Sequence, residues 1–280
     1  MSVCIVIPVY KERSQLTSYE EISLKQCFRT LYRYPVYFVG PHNLQWADYL
    51  RFSKEQECHA EVRVFPKKFF SGVGGYSRLL VSRKFYQSFS SFKYLLVYQT
   101  DAFVFGDHLE SWVEKGYDYV GAPWFEGFSS TNSAAALVGT GNGGFSLRNI
   151  PAHLKVLQSF SYIVPPVSNW RKRMSGKPSG RLLFNEIAGF TLDLVFRNNT
   201  FYLLNSFKGF EDQFWSLVAP NNFKWFKVAG IQDAMNFSME MQPRRVYEMN
   251  GQRLPFGCHA WWKYDFEFWK PHIETLGYKL

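Results

Sequence analysis

Cysteine is scarce in this sequence: Cys4, Cys27, Cys58 and Cys258 are the four in 280 residues, and no two form a CxxC pair. That argues against a zinc knuckle. No apolar run approaches the roughly 20 residues that span a bilayer. No leader of charged, then apolar, then small residues precedes the first strand. The expectation is a cytoplasmic protein with reduced thiols, free in the cytoplasm or peripheral at the inner face of the plasma membrane. No helix-turn-helix, zinc finger or RNA-binding sheet motif is present, which argues against nucleic acid as the partner. Internal repeats and low-complexity tracts are absent too. Acidic residues are in deficit, 23 Asp and Glu against 32 Lys and Arg, for a net charge of +9. A surplus of that size favours anionic partners such as nucleotides, lipid pyrophosphates or phospholipid headgroups.

The chain is 46% apolar and only 20% charged, the balance of a globular protein. Its length suits one large domain or two closely fused halves, and is enough to bury a core without covalent staples. Aromatic residues are abundant, with 28 Phe, 17 Tyr and 9 Trp. They either fill a Phe-rich core or line a groove where the C–H faces of sugar rings stack on flat rings.

Periodicity predicts an α/β order in the first half. VCIVIPVY (3–10) is a near-continuous, β-branched apolar run, the pattern of a buried parallel strand. Residues 17–31 carry Ile22, Leu24, Cys27, Phe28 and Leu31 at helical spacing, with Thr17 or Ser18 placed to cap them. YPVYFVGP (34–41) and AEVRVFP (60–66) predict two more strands, residues 74–89 an amphipathic helix, and YLLVYQTDAFVF (94–105) a fourth strand. Strands alternating with helices argue for a parallel sheet. Further on, the sequence predicts helices over 107–116 and 149–160, a strand over 117–125, and a strand near Gly144 to Leu147. Residues 168–183, with five basic side chains, Gly and Pro, predict a loop, and 209–220 a helix with acids in its first turn.

Four constellations could carry chemistry. Gln99, Thr100 and Asp101 follow an apolar strand, the end at which open α/β sheets gather ligands. An acid there either holds a divalent metal on a diphosphate or simply caps the following turn. GTGNGGFSLR (139–148) has four glycines in six residues and lacks the Gly-Lys-Ser/Thr of a Walker loop. Its backbone approaches either a ligand or a packed neighbour closely. Glu211 and Asp212 open an apolar helix, where the dipole favours ionised carboxylates. They serve either as a general base or as favourable first-turn acids. His259 in PFGCHAWW is either a metal ligand through neutral imidazole or a satisfied core residue.

VCIVIPVY, QTD, GNGGFSLR, EDQFW and PFGCHAW occur in that order. The set resembles the GT-A class of glycosyltransferases, and is closest to a bacterial family of GT-A-like proteins of unassigned function. The resemblance covers most of residues 1 to 265. It implies a GT-A-like, Rossmann-related α/β fold with a mixed, mostly parallel central sheet flanked by helices. It also implies one domain, with residues 1–105 as the nucleotide-binding half and 106–280 as the acceptor-binding and catalytic half.

The implied activity is hexosyl transfer from a nucleotide-sugar, a UDP-sugar foremost, to a glycan or lipid-linked glycan in surface polysaccharide synthesis, with inversion. Asp101 matches the last acid of a DxD motif, and with His259 would hold Mn²⁺ or Mg²⁺. Asp212 matches the base, with Glu211 beside it. Asn142, Gly143 and Gly144 match the loop between donor sugar and acceptor, and Pro8, Val9 and Tyr10 the seat of base and ribose. Gln99 and Thr100 complete the donor strand end, and Arg78 is placed to reach a phosphate. Gln99 departs from the pattern, because the first acid of DxD is here a neutral amide. Arg171, Lys172, Arg173, Lys177 and Arg181 would compensate at a phosphate, contact an anionic membrane, or remain solvated. Two other functions stay open: a glycan-binding module without turnover, invited by Gln99, and a sugar nucleotidyltransferase. The nucleotidyltransferase is disfavoured because PVYKERSQ after the first strand holds no glycine.

Overall fold

The computed structural model describes residues 2–127, 134–175 and 180–280. Its centre is a six-stranded sheet. Four parallel strands come first: β1 (Val3–Pro8), β2 (Val36–Pro41), β3 (Ala60–Phe65) and β4 (Tyr94–Tyr98). Among the later strands are β5 (Phe103–Val104), β6 (Tyr119–Val120), β7 (Ala122–Phe125), β8 (Leu137–Gly141) and β9 (Phe145–Asn149). The sheet order is β3-β2-β1-β4-β9-β6, with β9 antiparallel to both neighbours. This is the mixed, mostly parallel sheet that the sequence pattern implies.

Every residue of β1 is buried, because both faces of the sheet are covered. Val3, Ile5 and Ile7 face α1 (Ser18–Thr30) and α2 (Trp46–Glu55), packing with Leu24, Phe28, Tyr49 and Phe52. Cys4 and Val6 face α3 (Val73–Leu80), α4 (Arg83–Gln87) and, past α5 (Leu109–Glu114), α6 (Ile150–Gln158). Thr17 caps α1 as expected: its hydroxyl accepts from the Glu20 amide while the Glu20 carboxylate accepts from the Thr17 amide. All four cysteines are buried free thiols. Among the described residues, no helix is long and apolar enough to cross a membrane.

Besides the strand expected over 117–125, which divides at Gly121 into β6 and β7 of different sheets, four segments differ from their predicted form. Residues 42–59, which carried no assignment, hold α2. The helix expected over 74–89 breaks after Leu80, and Ser82 starts α4 by accepting from the Phe85 amide. The basic stretch expected as a loop is largely helical, α7 (Pro166–Met174) and α8 (Gly180–Leu192). Pro166 suits a helix's first turn, and the Gly176 and Pro178 that argued for a loop stand in sequence between the two helices. Lys177 and residues 128–133 lie outside the described residues, as do the side chains of Arg173 and Arg181.

The fourth difference positions the site. Residues 94–105 form two strands, not one. β4 stops at Tyr98, whose partner Phe145 is the first residue of β9, so the ladder ends there but for the Gln99 amide, which donates to the Gly144 carbonyl. Gln99 to Asp101 therefore turn outward, closed by the Ala102 amide donating to the Gln99 carbonyl at 2.9 Å. β5 then joins a separate sheet with β10 (Ser238–Met239) and β11 (Gly257–Cys258). Cys258 pairs with Phe103, which brings His259 beside the turn.

Candidate functional site

A cleft of about 670 Å³ opens at the carboxyl ends of β1 and β4. Pro8 and Tyr10 border it after β1, and Gln99, Thr100 and Asp101 after β4. Asn142, Gly143 and Gly144 arrive just ahead of β9, where the Gln99 amide donates to the Gly144 carbonyl at 2.8 Å. Glu211 and Asp212 come from the helical turn Glu211–Gln213, and His259 follows β11. Eleven of the thirteen site residues expected from sequence thus line one cavity.

Two do not. Val9 is buried in the core under the sheet, its amide bonded to the Val39 carbonyl. Arg78 is exposed on α3 outside the cleft, and one turn of that helix presents Tyr76 and Ser77 to it instead. A strand alternates its faces and a helix shows one side, so consecutive residues cannot all reach a ligand.

The glycines serve an approach that the sequence left open. A Cβ at Gly143 would fall 1.8 Å from Glu211 Oε1, and one at Gly144 would fall 2.0 Å from His259 Nε2. They let the loop close onto two functional side chains. Asn142 takes a positive φ of 70°, and its Oδ1 accepts from the Gly144 amide at 2.8 Å. Its Nδ2 is buried at the edge of the cleft with no hydrogen-bond partner among the described residues.

Asp101 is the centre of a charged cluster. His259 Nε2 lies 3.0 Å from Asp101 Oδ1, Lys263 Nζ lies 2.6 Å from Asp101 Oδ2, and His259 Nδ1 lies 2.8 Å from Glu240 Oε1. Burial alone would disfavour the imidazolium, but Asp101 and Glu240 outweigh it and push the His259 pKa up to about 10. Burial likewise opposes the Asp101 carboxylate, yet His259 and Lys263 hold it well below the usual carboxylate range.

The pair expected to hold a metal is, as it stands, engaged with other side chains. A protonated imidazole has two donors and no lone pair for a cation. Both oxygens of Asp101 are engaged, and Gln99 adds no charge. Among the described residues, no group of three or more His, Cys, Asp or Glu side chains is placed to hold a metal ion. The donor set as it stands does not fit a divalent ion.

The acidic pair divides into two environments. Glu211 is ion-paired with Arg148, a wholly buried residue of β9, at 2.9 Å. Arg148 also donates to Ser146 Oγ at 3.0 Å and Tyr86 Oη at 3.3 Å. Asp212 has no ion-pair partner among the described residues. Burial first, and the neighbouring Glu211 charge second, push its pKa up to about 7.

The sequence reading missed Lys263, Glu240, Lys11 and Glu20. Lys263 stands four residues past His259 in HAWWK, a signal available but unweighted. Lys11 pairs with Glu20 at 2.7 Å, and Thr100 Oγ1 donates to the other Glu20 oxygen at 3.1 Å, which ties α1 to the donor turn.

The profile of a family described as "Protein of unknown function (DUF5672)" matches residues 59–259. None of the curated proteins matches the sequence. Among solved structures, apo mouse xyloside xylosyltransferase 1 aligns over 92% of this chain and 97% of its own, with TM-score 0.51 and 11% identity. Core-mannan synthase A from Aspergillus fumigatus, in a Mn/GDP form, aligns over 54% of this chain and 60% of its own, with TM-score 0.40 and 12% identity. The apo glycosyltransferase GlyE of Streptococcus pneumoniae TIGR4 aligns over 99% of this chain and 63% of its own, with TM-score 0.44 and 13% identity. The chain thus spans less than two thirds of the latter two proteins. At such identities the likeness is one of fold: a mixed α/β, GT-A-like architecture.

Proposed function

We propose that this chain, which belongs to the family of proteins of unknown function DUF5672, is an inverting glycosyltransferase that uses a nucleotide-sugar. The observation that carries the reading is Asp212: a half-buried carboxylate, in no ion pair among the described residues, lining the cleft beside Glu211, whose charge together with desolvation pushes its pKa up to about 7. A general base works best when its pKa lies near the working pH. The cleft volume is in the range of small-ligand sites, and Tyr10, Trp262 and Phe210 offer it ring faces on which a sugar can stack.

In this mechanism the acceptor hydroxyl lies against Asp212, which takes its proton as the oxygen attacks the anomeric carbon. The bond from that carbon to the diphosphate oxygen breaks, and its electron pair leaves with the nucleoside diphosphate. One displacement inverts the anomeric centre. Glu211 stays paired with Arg148 and acts through its charge on Asp212. Residues 1–105 form the nucleotide side of the cleft, and residues 106–280 supply the base and the acceptor side.

The test is a panel of UDP-, GDP-, CMP- and dTDP-sugars, scored first by thermal shift and then by transfer to glycan acceptors. A bound donor should raise the melting temperature, and NMR of the product should show an inverted linkage, with a UDP-sugar the first donor expected. A product that retains the donor's anomeric configuration would remove the single-displacement mechanism. No shift and no transfer with any donor would remove the function.

The acceptor we propose is a lipid-linked surface glycan. The segment from 160 to 210 exposes Phe160, Phe184 and Phe196 alongside Arg171, Lys172 and Arg197, and Phe210 borders the cleft. Rings and basic side chains together suit an anionic lipid surface. The protein should float with anionic liposomes at low salt and come off at high salt. Failure to float at low salt would remove the membrane contact and leave the transferase intact.

A further inference from the structure

Glycosyl transfer from a nucleotide-sugar leaves a diphosphate whose charge must be met. The inference below rests on the reading of the cleft as a nucleotide-sugar site. In that cleft the charge-bearing groups near the donor turn are Asp101, Glu240, His259 and Lys263, beside Lys11 and Glu20, which are paired with each other. Lys263 sets a positive charge against the Asp101 carboxylate at 2.6 Å.

A positive charge of the kind a metal usually supplies is therefore already present at Asp101 in a side chain. A divalent ion would have to displace Lys263 from Asp101 Oδ2, where the contact is 2.6 Å. It would also meet a neutral Gln99 where a second acid is expected, and a histidine whose two nitrogens both face acceptors, Glu240 Oε1 at 2.8 Å and Gln99 Oε1 at 3.0 Å.

Lys263 is placed to act outward as well. Its side chain is 56% exposed against 12% for Asp101, so the carboxylate anchors the ammonium at the cleft wall while leaving it open to the cavity. An ammonium has three donors. One is spent on Asp101, and the others can reach phosphate oxygens.

We propose that the Lys263 ammonium, seated on Asp101, takes the place of a divalent ion in holding the donor's diphosphate, so that this protein binds nucleoside diphosphates without metal. Asp101 is then a positioning residue for Lys263. Gln99 is the complement of this design, because a second acid there would attract the ion that Lys263 replaces.

The experiment is calorimetric titration of UDP, GDP, CDP and dTDP into the full chain, in EDTA and in Mn²⁺. The expected result is that at least one binds in EDTA about as tightly as in Mn²⁺. Lys263→Ala should weaken that binding roughly 10-fold or more, the worth of one hydrogen bond to a charged group, while Lys263→Arg keeps most of it. The melting temperature of each variant without nucleotide checks that its fold is intact. Binding that appears only with Mn²⁺, or an unchanged affinity in Lys263→Ala, overturns the inference and leaves the glycosyltransferase reading standing. Absence of binding by all four, in EDTA and in Mn²⁺ alike, overturns both.

Discussion

Asp212→Asn should lower transfer roughly 10²- to 10⁴-fold, the usual contribution of a positioned general base, while nucleotide affinity stays close to that of the parent. The amide has the shape of the carboxylate but cannot take a proton. In the parent, kcat/KM should climb about tenfold per pH unit on the acid side of pH 7, because only ionised Asp212 accepts the acceptor's proton and its pKa stands at about 7. Above that it should level off. Near-parental turnover in Asp212→Asn would sink the assignment.

Stability supplies a second readout of opposite sign. The folded chain keeps the Asp212 proton up to about pH 7, whereas an unfolded aspartate releases it near 3.8. Between those values the folded state binds more protons, so raising the pH through this window costs stability, and the cost stays in full above it. At ~1.4 kcal/mol per pKa unit, a few kcal/mol are at stake. Asparagine carries no such cost. Asp212→Asn should therefore melt above the parent at pH 8 and beside it near pH 4. A variant that is more stable and less active cannot have lost activity through unfolding. Equal melting at both pH values would show that Asp212 is not held protonated in the fold.

The parallel half of the molecule was legible because its signals are local. β1 is buried on both faces and so is apolar throughout, and Thr17 with Glu20 writes a helix start in four residues. The break after Tyr98 was not legible, since it depends on where β9 begins, 47 positions further along the chain. The site was legible as a set of residue types and not as a set of partnerships. Asp101 and His259, expected together at a metal, lie 3.0 Å from each other, in direct contact. What surrounds His259 depends on residues outside its own motif: its second nitrogen faces Glu240 at 2.8 Å. Glu240 lies in no motif. Glu211 and Asp212, alike in sequence, differ in setting because the buried Arg148 of β9 forms its ion pair with Glu211.

That arginine carries the other large effect. Arg148→Met should destabilise the fold by ~3–5 kcal/mol, the cost of leaving a buried charge unpaired. Arg148 has no exposed side-chain surface and Glu211 only 5%, so water cannot take over the lost partner. Urea unfolding measures the loss. The double variant Arg148→Met with Glu211→Leu should recover most of it, because a buried ion pair replaced by apolar groups of similar volume is often neutral. If the single variant lost under ~1 kcal/mol, the typical net worth of an ordinary hydrogen bond, the pair would not be the buried anchor described above. The same variants move Asp212 in opposite directions. Arg148 favours the ionised form of Asp212 and Glu211 opposes it. Arg148→Met should thus carry the rise of kcat/KM to higher pH, and the more conservative Glu211→Gln should carry it to lower pH. Were Glu211 itself the base, Glu211→Gln would erase the rise instead of shifting it, so one pH profile separates the two acids.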